Sequence, residues 1–185
     1  MDEYYSDVPK GFEENLKFRS QALDLAMSTP EVREELWIAC SRDLLFYVNT
    51  FGWTYDPRKS KGVLPFITYP FQDEALLQIR DCVLDGRDLV VKKSRDMGAS
   101  WMLLVVFEWL WHFKDGQSFL LVSRNEDYVD KTGNPKSLFW KIDFIHKHLP
   151  NWLLPTMTRT KLRLTNDTNG SSIDGESTTG DVAPG

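Results

Sequence analysis

The chain is poor in the residues that build covalent or metal-based frameworks. It has only two cysteines and three histidines among 185 residues. Cys40 and Cys82 lie far apart without the close spacing of a metal motif, so two buried free thiols in a reducing compartment are the plain interpretation. His112, His146 and His148 do not combine with carboxylates at metal spacing. We interpret them as surface or helix-end residues.

Long apolar runs and an excess of positive charge are also lacking. The longest apolar run, from Trp101 to Trp111, is interrupted by Glu108 and is too short to span a bilayer. The N-terminal segment is acidic and has no apolar stretch typical of a signal peptide. The formal net charge is −5, which excludes an overall basic coat for nucleic acid but leaves room for a local basic patch. We therefore expect a soluble cytoplasmic protein.

Aromatic residues, in contrast, are abundant. Seven tryptophans, eleven phenylalanines and six tyrosines accompany a hydrophobic content of 42%, which is enough for one compact domain with a core. Five tryptophans cluster in the second half of the chain, and we interpret them as core residues rather than as a platform for stacking bases. These are Trp101, Trp109, Trp111, Trp140 and Trp152.

The order of sequence patterns predicts an α/β fold with a parallel sheet behind a helical N-terminal extension. Residues 1–60 form that extension, beginning with a flexible arm over residues 1–11, and residues 61–185 form the α/β part. Thr29 is a candidate N-cap with Pro30 at the first helical position. Helices are predicted over about 12–27, 30–49, 72–84, 98–113, 125–131 and 138–148, and strands over 89–91, 118–123 and 160–166.

The most informative stretch is LVVKKSRDMGASW, residues 89–101. A short apolar strand, a turn containing glycine and an apolar helix make the frame of a phosphate-binding loop, whose usual spelling is G-x-x-x-x-G-K-[ST]. Gly98 and Ser100 fit the second glycine and the hydroxyl residue. Ala99 stands where the lysine belongs, and Lys93 stands where the first glycine belongs.

Phosphate binding requires backbone N–H groups at a helix N-terminus, a cation near the phosphate oxygens and a hydroxyl for Mg²⁺. Gly98 permits close backbone approach, and Ser100 is placed for the metal. Lys93 starts from the opposite side of the loop, but its four-carbon stem reaches the same phosphates. Arg95 is a second cation, and Lys92 replaces Lys93 if the strand ends one residue earlier. The alternative is an ordinary strand-to-helix turn with solvated basic residues.

A second signal, Tyr69-Pro70-Phe71-Gln72, precedes this loop by about twenty residues. A glutamine amide both donates to and accepts from an adenine edge, and a neighbouring aromatic ring stacks on the base. The alternative is that Gln72 is a polar residue at a helix N-terminus while Tyr69 and Phe71 belong to the core.

Together these segments resemble the large terminase subunit of tailed bacteriophages and prophages, an ATP-driven motor that packages DNA. YPFQDEALLQI resembles the adenine-recognition motif of that family, and KSRDMGASW resembles its deviant Walker A motif, in which the lysine lies at the front of the loop. FLLVSRNEDYVDK resembles the next strand and turn. The segment LTNDTNGSSIDGESTTGDVAPG resembles the polar region before the Walker B strand, and FYVNTFGWTYDPR resembles an N-terminal aromatic segment. The resemblance covers about residues 37–185.

The resemblance implies ATP and Mg²⁺ as cofactors. It places Gln72 at adenine, Lys93 and Arg95 at the phosphates as the catalytic charges, and Ser100 at Mg²⁺. The loop residues in contact with the nucleotide would be Lys93, Ser94, Arg95, Asp96, Met97, Gly98, Ala99, Ser100 and Trp101.

The resemblance also implies a P-loop NTPase fold with a RecA-like parallel sheet, of which residues 61–185 are an incomplete core. No stretch reads as apolar residues followed by Asp-Glu, so the Walker B acids are expected after Gly185, and a nuclease domain is expected further on. By this interpretation the chain is a piece of a longer motor and is inactive alone. Because the sheet is cut before a central strand, its open edge favours self-association.

Family resemblance further implies double-stranded DNA, a portal protein and a small terminase subunit as partners, a ring assembly and the cytoplasm of a bacterial host. Two alternatives stay open. The first is a non-catalytic nucleotide-binding or interaction module with a degenerate loop. The second is a helicase-like ATPase, since a glutamine motif before a phosphate loop suits that group, although the usual lysine is missing.

Overall fold

The computed structural model describes residues 7–60, 62–94 and 97–178. The helices are α1 (Phe12–Ser28), α2 (Pro30–Arg42), α3 (Leu44–Phe51), α4 (Pro70–Leu84), α5 (Ala99–Phe113), α6 (Glu126–Val129) and α7 (Leu138–His148). The strands are β1 (Trp53–Tyr55), β2 (Val63–Pro65), β3 (Ser118–Ser123), β4 (Met157–Thr160), β5 (Arg163–Asn166) and β6 (Ser172–Ser177). No helix within these ranges is both long and apolar enough to cross a membrane.

The predicted helix over 30–49 is two helices that meet at Asp43. Its backbone is extended, and its side-chain oxygen accepts a hydrogen bond of 2.9 Å from the Phe46 N–H, which caps α3. Such a cap satisfies one of the free N–H groups at a helix start and so makes a new helix favourable there. Pro30 is the first residue of α2 as predicted, and Thr29 takes the N-cap position without a side-chain capping bond.

The main sheet has four strands in the order β3-β6-β5-β4, and helices flank it. The α/β class is confirmed, but the prediction of a parallel sheet is wrong for most of it. Among the described strands, β3 and β6 alone pair in parallel, while β5 pairs antiparallel with both β4 and β6. Short turns join β4 to β5 and β5 to β6, and a short turn can connect only antiparallel neighbours.

The predicted strand over 160–166 is interrupted at Leu162. This leucine adopts a left-handed backbone conformation with φ 60°, which L-residues other than glycine rarely adopt. The turn that it forms reverses the chain between β4 and β5. The region is therefore a hairpin rather than a single strand.

The predicted strand over 89–91 is absent, because residues 87–94 follow an irregular path without strand pairing. Leu89 packs against the core, whereas Val90 is 92% exposed to solvent. A strand is stabilised by the ladder that it makes with a neighbour. Among the described strands, β3 pairs only with β6, so it offers no ladder to this segment.

Strand β3 is an edge strand with one buried and one open face. Phe119 and Leu121 point into the core, while Leu120 and Val122 are 55% and 48% exposed. Its outward neighbours across the pairing with β6 are Asp174 and Glu176. An apolar pair therefore lies beside acidic residues at an unpaired edge.

One hydrophobic cluster runs from Val8 to Ile173, so the predicted N-terminal extension and the α/β part share a core. Helix α5 lies within it, and its Trp109 and Trp111 are buried as predicted, whereas Trp101, Trp140 and Trp152 are half-buried. The two cysteines are buried and free, also as predicted.

The prediction of a flexible arm over residues 1–11 is wrong for its described part. Val8 is only 5% exposed, and Lys10 hydrogen-bonds to residues near the start of α4. Burying one apolar side chain and satisfying one ammonium group are enough to hold so short a segment against the body of the protein.

Candidate functional site

The N-terminus of α5 is preceded by Gly98, which has a left-handed backbone with φ 76°. Its carbonyl accepts the first helical hydrogen bond from the Met102 N–H at 3.0 Å. A Cβ atom on this residue would lie 3.2 Å from the Nε2 atom of Gln72. Glycine is therefore required both by the backbone conformation and by the close approach of a second segment.

Gln72 joins the two segments that the sequence singles out. Its Nε2 donates a long hydrogen bond of 3.5 Å to the Met97 carbonyl, and its Oε1 accepts one of 3.1 Å from the Tyr69 N–H. The second bond belongs to a capping box at the start of α4. Gln72 is only 8% exposed, so its amide is held by protein groups on both sides.

Tyr69 and Phe71 are surface residues, and the alternative that places them in the core is wrong. They are 66% and 46% exposed, and their rings stack in parallel with centroids 5.9 Å apart. The reason is their place in the first turn of α4, where the face that carries Gln72 is the one turned toward α5. Two aromatic rings are therefore presented to solvent beside the Gln72 amide.

The basic and hydroxyl residues of the loop lie at the surface. Lys92, Lys93 and Ser94 are exposed in the segment that leads to α5, and Ser100 is exposed in its first turn. A helix N-terminus presents unpaired N–H groups and the positive end of the helix dipole, both of which favour an anion. Lys92 and Lys93 place two exposed positive charges in the segment that precedes this helix.

The remaining loop residues differ in their environments. Met97 is 38% exposed, Ala99 is half-buried, and the half-buried Trp101 packs edge-on against Phe144 at 5.6 Å. Arg95 and Asp96, which the resemblance places at the phosphates, lie outside the described residues.

The start of α5 has space and N–H groups for a nucleotide phosphate, but it offers one hydroxyl group as a metal ligand. The bare Cα of Gly98 leaves space that a side chain would fill, and the N–H groups of α5 begin directly behind it. Ser100 is the residue that would hold Mg²⁺. Within the described ranges, no group of three or more His, Cys, Asp or Glu side chains is arranged to hold a metal ion.

A polar network involving Lys10 supports the start of α4. The Lys10 ammonium donates to the Thr68 carbonyl at 2.9 Å, to the Thr68 hydroxyl at 2.7 Å and to Asn49 Oδ1 at 3.1 Å, and it pairs with Asp73 at 3.2 Å. Burial lowers the pKa of Lys10, although Asp73 opposes that shift. Nothing in the sequence singles out Lys10, because its partners come from distant parts of the chain.

A second polar cluster is buried in the middle of α5 around Glu108, which is fully buried. Its Oε2 accepts from the Tyr47 hydroxyl at 2.7 Å, and its Oε1 lies 3.1 Å from both His112 Nδ1 and His146 Nε2. Burial alone raises the pKa of Glu108, but the hydrogen bonds from the two histidines outweigh it and hold the pKa at about 2.

The prediction of surface or helix-end histidines is correct in that His112 and His146 lie in the last turns of α5 and α7. A surface position is wrong for both, since His112 is 4% and His146 is 8% exposed. The sequence feature from which this cluster could be predicted is Glu108 itself, an acid inside an apolar helix. An ionisable residue in such a run needs a buried partner, but the partner on α7 is 38 residues away and is fixed only by the fold.

A charged cleft of about 600 Å³ lies where α6, α7 and the β4–β5 turn meet. Arg159 contacts Asp130 at 2.8 Å and Asp143 at 2.9 Å, and Asp130 also accepts from the Leu162 N–H at 2.6 Å. Lys131 pairs with Asp127, and Lys161 pairs with Glu126. Its cations and carboxylates pair with one another, so these side chains connect the β4–β5 hairpin to α6 and α7 and are not free to bind a ligand.

Comparison with known proteins assigns no family to this arrangement: no protein-family model matches the chain, and no curated protein does.

Proposed function

We propose that this chain is part of the ATPase region of a terminase large subunit, which binds ATP to power translocation of double-stranded DNA into a procapsid inside a bacterial host. The observation that carries the proposal is the contact between Gln72 and the loop before α5, where Nε2 lies 3.5 Å from the Met97 carbonyl. Two segments that resemble an adenine motif and a phosphate loop thus lie side by side.

Each part of this site has a role in holding ATP. The Gln72 amide and the exposed rings of Tyr69 and Phe71 would face the adenine, since an amide reads the base edge and a ring stacks on its face. The N–H groups of α5 behind Gly98 would face the phosphates.

The charges complete the phosphate side. Lys93 would neutralise the phosphate oxygens from the front of the loop, and Arg95 would add a second positive charge. The Ser100 hydroxyl would hold Mg²⁺, which would supply positive charge to offset the negative charge of the phosphates. The protein groups named here bind and orient the nucleotide.

The finer fold proposal is a P-loop NTPase with a RecA-like sheet. It requires further parallel strand pairing between the edge of β3 and residues 89–91. Two features support it: the edge of β3 is unpaired among the described strands, and Val90 and Val91 are exposed apolar residues without a ladder partner. A strand added there would pair β3 and cover apolar side chains.

Titration with a fluorescent ATP analogue tests the proposal directly. We expect binding to the native chain and a loss of affinity of about tenfold or more in Lys93→Ala, because removing a charge-assisted contact typically costs about 1.5–3 kcal/mol. Lys92→Ala identifies which of the two lysines contributes the charge, and Lys17→Ala, an exposed lysine on α1, is the matched control. Absence of binding by the native chain contradicts the proposed function, whereas equal affinity in all variants contradicts only the lysine assignment.

A second candidate is a non-catalytic interaction module whose loop has lost its nucleotide. The observation that favours it is that both ends of the Gln72 amide already contact protein groups. Gln72→Ala separates the two candidates. If the amide reads adenine, the variant loses preference for ATP over GTP analogues; if Gln72 only caps α4, the protein loses stability and shows no base preference to begin with.

A further inference from the structure

The buried cluster around Glu108 has no part in the proposed nucleotide site, yet it joins four separate parts of the chain. Tyr47 contributes from α3, Glu108 and His112 from α5, and His146 from α7. The fourth part is the connection between α7 and β4, whose Leu153 is 1% exposed. The hydrogen bonds of this cluster determine how many protons it holds.

His112 faces an acceptor at each of its ring nitrogens. Nδ1 lies 3.1 Å from Glu108 Oε1, and Nε2 lies 2.7 Å from the Leu153 carbonyl oxygen. A carbonyl can only accept, so Nε2 must carry a proton. A neutral imidazole has one N–H, whereas an imidazolium has two. Both contacts are hydrogen bonds from His112 only if its ring is an imidazolium beside an ionised Glu108.

The other assignment moves the second proton to Glu108, which would then donate to Nδ1 of a neutral ring. Two further contacts count against it. The Tyr47 hydroxyl is 2.7 Å from Oε2, and His146 Nε2 is 3.1 Å from the same Oε1 that faces His112. A carboxyl group that receives several hydrogen bonds is stabilised in its ionised form. The same contacts weigh against placing a proton on Oε1, where two ring nitrogens converge.

We propose that His112 is a buried imidazolium and that its proton is a latch holding the α7–β4 connection against α5. Without that proton, one ring nitrogen turns a lone pair toward either the Glu108 carboxylate or the Leu153 carbonyl. One hydrogen bond is lost and a buried acceptor is left without its donor, which is costly in a place closed to water. The latch is closed while both ring nitrogens of His112 carry protons.

The groups around the latch are consistent with one buried positive charge. The titratable side chains that interact with the cluster include Tyr47 and His146, which contact Glu108, and Cys40, whose thiol lies within the field of Glu108. Burial is the main cause that raises the pKa of Cys40 and of Tyr47, so both are neutral. The Glu108 carboxylate is therefore the neighbouring charge that favours an imidazolium.

Opening of the latch would act on a defined segment. Leu153 follows Trp152, whose ring packs edge-on against Phe51 of α3 at 5.8 Å. Release of the Leu153 carbonyl therefore loosens residues 149–155 and their contact with α3, while α1 and the β4–β5 hairpin keep their own contacts.

Nuclear magnetic resonance on protein labelled with ¹⁵N-histidine tests the protonation state. Near neutral pH we expect both ring nitrogens of His112 to show attached protons. The half-buried His148, whose Nδ1 contacts the Phe144 carbonyl, is the internal reference, and a His148→Gln variant assigns its signals. A His112 ring with one proton-free nitrogen near neutral pH overturns the proposal.

Hydrogen–deuterium exchange tests the latch itself. His112→Phe keeps an aromatic ring but removes both donors, and we expect protection of residues 149–155 to fall by about tenfold or more, as for the loss of a buried hydrogen bond, with α1 unchanged. Unchanged protection of residues 149–155 overturns the latch. If the variant does not fold, the spectrum of the native protein decides. A proton-free ring nitrogen on His112 would leave the Glu108 carboxylate or the Leu153 carbonyl without its donor and would overturn the proposal.

Discussion

At the scale of single residues, Gly98 is where backbone conformation and a long-range contact meet. Its φ of 76° is costly for any L-residue with a Cβ atom, and a Cβ there would press on Gln72 Nε2 at 3.2 Å. The first cost is local, whereas the second arises only because α4 packs on α5. The two costs are separable, since other glycines of the chain have the first without the second.

We expect Gly98→Ala to destabilise the protein by more than Gly116→Ala. Both residues have positive φ, which costs an alanine about 1–2 kcal/mol, but nothing lies within 4 Å of a Cβ at Gly116. The difference in the free energy of unfolding, measured with urea, reports the contact with Gln72. Equal effects of the two substitutions would mean that Gln72 moves away freely.

Asp130 is the second residue on which several contacts depend. It pairs with Arg159 and accepts from the N–H of Leu162, which has a positive φ. We expect Asp130→Ala to lower the free energy of unfolding by about 2–3 kcal/mol, because it leaves the N–H of Leu162 in the strained turn without its acceptor and takes from Arg159 one of its two carboxylate partners, the other being Asp143. Asp127→Ala removes an exposed acid paired with Lys131 and is expected to cost less than about 1 kcal/mol. Comparable losses in both variants would contradict the assignment.

At the scale of elements, α5 has two distinct halves. Its N-terminal turn meets α4 through Gln72 and the loop, while its C-terminal half holds α3 and α7 through Glu108. The hydrogen bonds from Tyr47 and the two histidines stabilise the ionised form of Glu108. Protonation of Glu108 in strong acid therefore weakens this half of the helix.

Glu108→Gln tests that sensitivity. The pKa of Glu108 is about 2, below its ordinary 4.5, so the ionised form adds stability above about pH 4.5 and loses it as the pH falls toward 2. We expect the variant to be less stable by about 3 kcal/mol near neutral pH and the difference to shrink in acid. Chemical unfolding at a series of pH values measures this, with Glu13→Gln on the surface of α1 as the control. A difference that does not change with pH would contradict the assigned ionisation.

At the scale of the whole molecule, the side of β3 that faces away from β6 has no pairing strand among the described residues. Unpaired N–H and C=O groups on an edge strand pair readily with a second chain, and exposed apolar side chains favour that contact. Leu120 and Val122 supply such side chains here.

We expect the protein to self-associate through β3 and Val122→Lys to prevent it, since a charge on an edge strand opposes pairing. Sedimentation velocity over a range of concentrations measures the effect. Val90→Lys changes an even more exposed valine outside any strand and serves as the control. A native chain that stays monomeric, or a control that dissociates the assembly equally well, would refute the role of the edge.

Local patterns were sufficient for most helices and for β3. The predictions over 12–27 and 138–148 agree with α1 and α7 within a residue, and 118–123 is β3 itself. Helical periodicity and strand alternation are properties of consecutive residues, so they can be recognised in the sequence alone. The sequence does not reveal the break at Asp43, because an N-cap residue inside an apolar helical pattern resembles an ordinary helical residue.

Partners distant in the chain explain the other errors. Residues 89–91 look like a buried strand but have no neighbouring strand, and Lys10 looks like part of a loose arm but meets Thr68 and Asn49. His112 and His146 look unremarkable until α5 and α7 pack together around Glu108. In each case the missing information is a contact between segments.

The sequence by itself determined the α/β class, most helix positions and the two segments that resemble an adenine motif and a phosphate loop, because each depends on short-range pattern. Tertiary structure alone decided that Gln72 touches the loop at Met97, that the sheet is mixed with an open edge at β3, and that Glu108 lies between two histidines. The physical reason is that hydrogen bonds and burial depend on distance in space, and the chain brings residues together only when its core closes.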